Sequence, residues 1–205
     1  MLEKRLRYFG IFGIISLLSY SAMVIFSPLA YPGYGWLTMA VSELSAVGAP
    51  SEKLASQLNC LFGPCGLVSI MAVCLAMVFV KSKALKTGVY LFAAMEWVCS
   101  VGYTMFPWSE NSFQNTMHLI VTVLVVVLSV VSLILIGIGS LKEELQSLSF
   151  WSFICLFMML MGPVGMNLFP SLFGLFERFS TFSAVIFNCI LGIYLFKGKF
   201  FFLKC

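Results

Sequence analysis

Long apolar runs separated by short polar connections fill the 205-residue chain. Six stretches reach the ~20 residues a helix needs to cross the hydrocarbon core. They cover about 8–27, 57–80, 87–106, 116–140, 150–168 and 177–196. A backbone in lipid must satisfy its own amides, so runs of this length are predicted helices. Strands of a membrane barrel would alternate polar and apolar positions, and these stretches do not. The expectation is an all-α, polytopic bundle of six transmembrane helices, one domain over 1–205.

The connection from Pro28 to Ser56 is the long one, and Pro28, Pro32, Gly33 and Gly35 make its first part irregular. From Trp36 to Ala46, Leu37, Ala40, Val41 and Leu44 fall at helical spacing with Ser42, Glu43 and Ser45 between them. That pattern predicts a short amphipathic helix in the first outer loop. Gly48 and Pro50 end it, and Ser51 reads as an N-cap with Glu52 in the first turn that follows.

The sequence VGxxxFP occurs at Val101–Pro107 and again at Val164–Pro170, 63 residues apart. In each copy a proline closes a helix, and a glycine four residues before the phenylalanine allows close approach of a neighbouring helix. Either an old hairpin duplication or the common use of proline at helix ends accounts for it.

Composition agrees with the runs. Apolar types make up 61% of the chain and charged types 10%, against about 25% charged in soluble domains. Mean hydropathy is +1.04. These values exclude a soluble domain, a disordered chain and a nucleic-acid-binding module. Ten of the 12 basic residues fall on one side of the predicted helices: Lys4, Arg5, Arg7, Lys81, Lys83, Lys86, Lys142, Lys197, Lys199 and Lys204. Lys53 and Arg178 fall on the other. The Glu143-Glu144 pair lies on the lysine-rich side and reads as a solvated turn. Basic residues collect in cytoplasmic connections, so both termini are expected in the cytoplasm of a multi-pass cell-membrane protein. The net charge of +4 is then an orientation signal. The first apolar run extends to about Phe26 and outlasts a 7–15-residue signal core, so it is expected to remain as a helix.

Candidate chemistry is sparse. The seven cysteines contain no Cys-x-x-Cys pair, and Cys74, Cys99, Cys155 and Cys189 lie inside apolar runs as small hydrophobes. Cys205 next to Lys204 is at most a palmitoylation position. With one histidine the paired ligation of membrane haems cannot form in one chain. No Gly-rich nucleotide loop is present, so no cofactor is expected. Zinc would need the fold to gather His118 with Glu43, Glu110 and Glu177, and no metal site is expected.

Polar residues inside apolar runs are costly and carry the functional reading. Glu96 lies about ten residues from either end of the third run, with Ser100 and Tyr103 on its face. It reads either as a protonatable site or ligand contact, or as a neutral carboxyl bonded to another helix. His118 opens the fourth run, with Asn115, Thr122, Ser129 and Ser132 on one stripe. A polar cavity reached from outside and plain interhelical hydrogen bonding both fit. Glu177 and Arg178 open the sixth run, with Thr181 and Asn188 continuing the face inward. Arg178 would hold a phosphate head group or clamp the loops through Glu43 or Glu110. Glu43 and His118 are the candidate acid–base pair, and Ser42, Glu96, Tyr103, Glu177 and Arg178 the candidate ligand contacts. All but Glu96 fall at the expected outer side.

The string Ser42-Glu43-Leu44-Ser45-Ala46-Val47-Gly48-Ala49-Pro50 resembles the SELxxxGAP signature of the domain-of-unknown-function family 998. Phe106-Pro107, the lone His118 and Gly174-Leu175-Phe176-Glu177-Arg178 agree with it. The resemblance implies six membrane helices and a remote kinship to proteins of lipid remodelling or distribution. Members often carry an aspartate soon after the Phe-Pro. This chain has no aspartate, and Glu110 stands in that region. The resulting expectation is a protein that binds or modifies a membrane lipid or amphiphile at the outer leaflet. A structural or accessory subunit, with unspecified partner proteins, and a small transporter using Glu96 are the alternatives.

Overall fold

The computed structural model describes residues 2–201; Lys204 and Cys205 lie outside them. Eight helices form among the described residues: α1 Leu2–Tyr8, α2 Ile11–Phe26, α3 Glu52–Asn59, α4 Phe62–Ala76, α5 Lys83–Met105, α6 Ser112–Leu141, α7 Gln146–Leu168 and α8 Phe173–Phe196. Five segments are long and apolar enough to cross a membrane: Glu3–Ala30, Glu52–Phe79, Ser112–Leu141, Gln146–Leu168 and Pro170–Phe196. The chain is therefore an all-α, multi-span membrane bundle. Helix α5 has the length, 23 residues. Lys83, Lys86 and Glu96 make it more polar than the five.

The second apolar run is broken between α3 and α4 at Cys60 and Leu61. Pro64 explains the break. It has no N–H to give the Cys60 carbonyl, and its ring crowds that oxygen, whereas a proline in the first turn of a new helix is harmless.

The helices pack as a ring in the order α2, α4, α5, α6, α7, α8, with α8 returning to α2 and α4 also touching α8 across the middle. One end carries Lys81, Lys83, Lys86, Lys142, Lys197 and Lys199 and is called the lysine end here. The other carries 27–51, 106–111 and 169–172 and is called the loop end. The two halves are filled differently. The main core occupies the lysine half, built from Ile70, Val73, Phe92, Leu133, Ile136, Phe187 and Leu191 among others. Phe92 and Phe187 meet edge to face at 5.4 Å across it. A smaller cluster of Tyr20, Met23, Val24, Val41, Leu44, Ala55 and Val185 lines the loop half.

The two copies of VGxxxFP have the same backbone. Phe106 has φ −127° and ψ 68° and gives its N–H to the Gly102 carbonyl. Phe169 has φ −132° and ψ 70° and does the same to Gly165. A Cβ on Gly102 would meet Val121 of α6 at 2.8 Å, and one on Gly165 would enter the Phe176 ring of α8. Each motif thus ends one helix and seats the next.

Three local expectations are corrected. The amphipathic helix over Trp36–Ala46 does not form; only a 3-10 turn over Ser42–Ser45 does. Two of its amides are taken by side chains instead. Ala40 N–H goes to Glu43 Oε1 at 2.8 Å and Val41 N–H to Glu177 Oε2 at 2.5 Å. The Ser51 side chain does not cap α3; its hydroxyl donates to the Leu44 carbonyl at 2.7 Å and ties the loop to the helix start. Glu143 and Glu144 are not a simple solvated turn. Glu143 is buried, and its Oε1 accepts the N–H groups of Lys81 and Ser82. This ties the α6–α7 turn to the start of α5 and explains a buried carboxylate among lysines.

Candidate functional site

The loop half of the ring is not filled. A cleft of about 570 Å³ opens there among α2, α3, α4, α5, α6, α7 and α8. Its floor is formed by Met95, Glu96, Met159 and Ala184, which stand at or next to the main core. Ser42, Glu96, Tyr103, His118 and Glu177, separated by up to 135 positions in sequence, all line it. Glu43 and Arg178 do not line it. Glu43 stands in the loop, and the Arg178 side chain reaches from α8 to that loop.

His118 is fixed by the motif that ends α5. Its Nδ1 lies 2.9 Å from the Phe106 carbonyl oxygen. A carbonyl only accepts, so Nδ1 carries the proton, and in the neutral ring Nε2 is left as an acceptor. Tyr103 and Trp108 flank the imidazole, with ring centres at 4.8 and 5.4 Å. Tyr103 donates to Thr122 Oγ1 at 3.1 Å, and Thr122 donates to the His118 carbonyl at 2.9 Å. The stripe continues only as far as Thr122. Ser129 and Ser132 are buried, and Ser132 donates to the Leu128 carbonyl of its own helix.

Glu96 is 5% exposed. Asn188 of α8 donates from Nδ2 to the Gly66 carbonyl at 3.2 Å, and Glu96 Oε2 faces the same glycine. Asn188 Oδ1 is enclosed and has no donor. Asn188 thus ties α8 to α4 beside Glu96, outside the cleft lining.

Glu177 and Arg178 point to different tasks. Glu177 Oε2 takes the Val41 N–H. Arg178 is buried, and its Nη1 donates to the carbonyls of Met39 at 3.2 Å and Gly174 at 2.6 Å. Its Nη2 donates to Tyr34 Oη at 2.6 Å, and the guanidinium lies 4.6 Å from the centre of the Trp36 ring. Tyr34 in turn donates to the Ala40 carbonyl at 2.7 Å. Burial pushes the Tyr34 hydroxyl above its ordinary pKa, and the Arg178 charge pulls against it. These bonds hold residues 34–42 across the cleft rim. Arg178 meets carbonyls and a phenol here rather than Glu43 or Glu110, and Glu43 accepts from Ala40 within the loop.

Sequence reasoning passed over several lining residues. Tyr20, Phe62 and Trp108 present rings, and Glu52, Ser45 and Asn59 add polar groups at the rim. Trp108 directly follows a repeated Phe-Pro, which was a usable signal. Tyr20 sits in an apolar run with nothing to mark it. Among the described residues no three His, Cys, Asp or Glu side chains gather to hold a metal.

No curated protein and no solved structure matches the chain. The profile of the family described as Protein of unknown function (DUF998) matches residues 14–194, from α2 to the last turns of α8, and the chain belongs to that family.

Proposed function

We propose that the protein crosses the cell membrane six times, α5 being the sixth span, with the lysine end in the cytoplasm. In this reading the cleft at the loop end takes up a lipid or other amphiphile from the outer leaflet, to bind it or to modify it. The cleft carries the reading. Its volume of about 570 Å³ falls within the ~300–1,000 Å³ usual for small-molecule sites, and its lining mixes apolar walls with a few polar groups. The ten-to-two placement of basic residues supports the orientation.

His118 Nε2 is the group suited to accept a proton from a bound molecule. Tyr103, Glu96, Glu177 and Ser42 supply the remaining polar contacts. Arg178 and Glu43 act by holding the 34–48 loop over the rim. The packed core beneath Glu96 favours a one-ended cleft over a transport path. The test is native mass spectrometry of the protein extracted in mild detergent. Wild type is expected to retain an amphiphile, and Ala184→Trp, which fills the floor, to lose it while remaining folded. A bare wild type, or equal retention by both, overturns the reading.

A further inference from the structure

We propose that the cleft selects an amphiphile whose head group is a protonated amine, received by the Glu96 carboxylate. This rests on the amphiphile reading above and adds the charge of the head group. The lining contains three carboxylates, Glu52, Glu96 and Glu177, and no lysine or arginine. Arg178, adjacent in sequence to Glu177, is turned toward the loop, its two Nη groups donating to Met39, Gly174 and Tyr34. An anionic head group entering the cleft would meet carboxylates with no cation to receive it. A neutral head group would gain hydrogen bonds and no charge pairing.

A protonated amine fits two further features. It brings a positive charge to a space lined by the rings of Tyr20, Phe62, Tyr103 and Trp108, whose faces attract cations. For the alkyl part, Met95, Met159, Met166, Val125 and Val126 line the same space, and methionine adapts to irregular apolar shapes. An ethanolamine lipid head group and a free long-chain amine present the same ammonium chemistry.

The experiment is equilibrium dialysis of labelled octylammonium, octyl phosphate and octanol into phosphatidylglycerol nanodiscs. Uptake by empty nanodiscs is subtracted. Saturable octylammonium binding is expected, at least about tenfold tighter than octyl phosphate or octanol. Glu96→Gln is expected to weaken it about tenfold or more, as loss of a charge-assisted bond predicts. Glu52→Gln, at an exposed rim position, is expected to weaken it about twofold to threefold. If Glu96→Gln does not fold, the wild-type preference and Glu52→Gln still decide. Adding phosphatidylethanolamine to the discs separates the two sources: competition identifies a lipid head group, and no competition identifies a free amine. Equal saturable binding of octyl phosphate or octanol, unmoved by Glu96→Gln, overturns the amine assignment and leaves the amphiphile reading intact. No saturable binding of any probe overturns both.

Discussion

Arg178→Met gives the most quantitative test of how the loop end is held. The side chain sends two hydrogen bonds across elements, to Met39 O and Tyr34 Oη. The third goes to Gly174, one turn back on its own helix, and that carbonyl also has a helical amide available. Bonds to a charged group contribute about 1.5–3 kcal/mol each, so two contribute about 3–6 kcal/mol. Freeing an arginine returns up to about 2 kcal/mol of rotamer entropy. Methionine keeps most of the apolar contact with Trp36. The net loss is about 1–4 kcal/mol, confined to the loop. Local opening should then rise by roughly 5- to 800-fold. Amide hydrogen exchange of peptides covering 39–44 reads this directly. Peptides covering 85–95, in the main core, should not change. Arg178→Lys keeps the charge but loses the fork, and should lie between wild type and Arg178→Met. Unchanged exchange at 39–44, or equal acceleration in the core peptides, refutes the assignment of Arg178 as the loop's anchor.

Three further outcomes follow from the same contacts. The Tyr34 hydroxyl is held neutral in the folded protein above its ordinary value of 10.0. Its contribution is therefore fully present below pH 10 and is lost as pH rises through the higher folded value. In a protein retaining Trp36 as its one tryptophan, emission should hold steady to about pH 10 and shift above it, and Tyr34→Phe should remove the shift. Gly165→Ala drives a methyl into the Phe176 ring and should cost about 1–3 kcal/mol, seen as a lower midpoint in thermal aggregation monitored by size exclusion. Glu143→Ala strips the acceptor from the Ser82 amide, a buried position. It should cost about 1–3 kcal/mol, with faster exchange at 81–85 and an unchanged loop end.

The helices were legible because a bilayer leaves an apolar run no other choice. Glu96 kept α5 from reading as clearly as its neighbours, although its length matches α7. The 36–46 segment misled because Ala40, Val41 and Leu44 are buried in fact, so their spacing resembles a helix face. The Val41 amide is satisfied by Glu177, more than 130 positions away, and periodicity carries no record of that. The site was legible in part for the same reason. A polar residue in an apolar run signals a buried polar environment, and five of the seven candidates do share one cleft. It does not reveal direction. Glu177 and Arg178 are adjacent, yet only Glu177 lines the cleft, because successive helix positions point ~100° apart. Glu143 among lysines looked solvated for want of any sign that it faces the Lys81 and Ser82 amides.

The central claim, that the cleft houses an amphiphile, is tested most directly by photo-cross-linking in native membranes with diazirine-bearing alkyl probes carrying an amine, an alcohol or a phosphate. The labelled residues are then mapped for each probe. The account predicts that at least one of them labels Met159, Thr122, Val125 and Ala184, and that excess of its unlabelled counterpart removes the labels. Labels confined to outward-facing residues such as Leu124, Val127 and Phe157, unaffected by competition, would mean that the chain meets such molecules only as surrounding lipid and would contradict it.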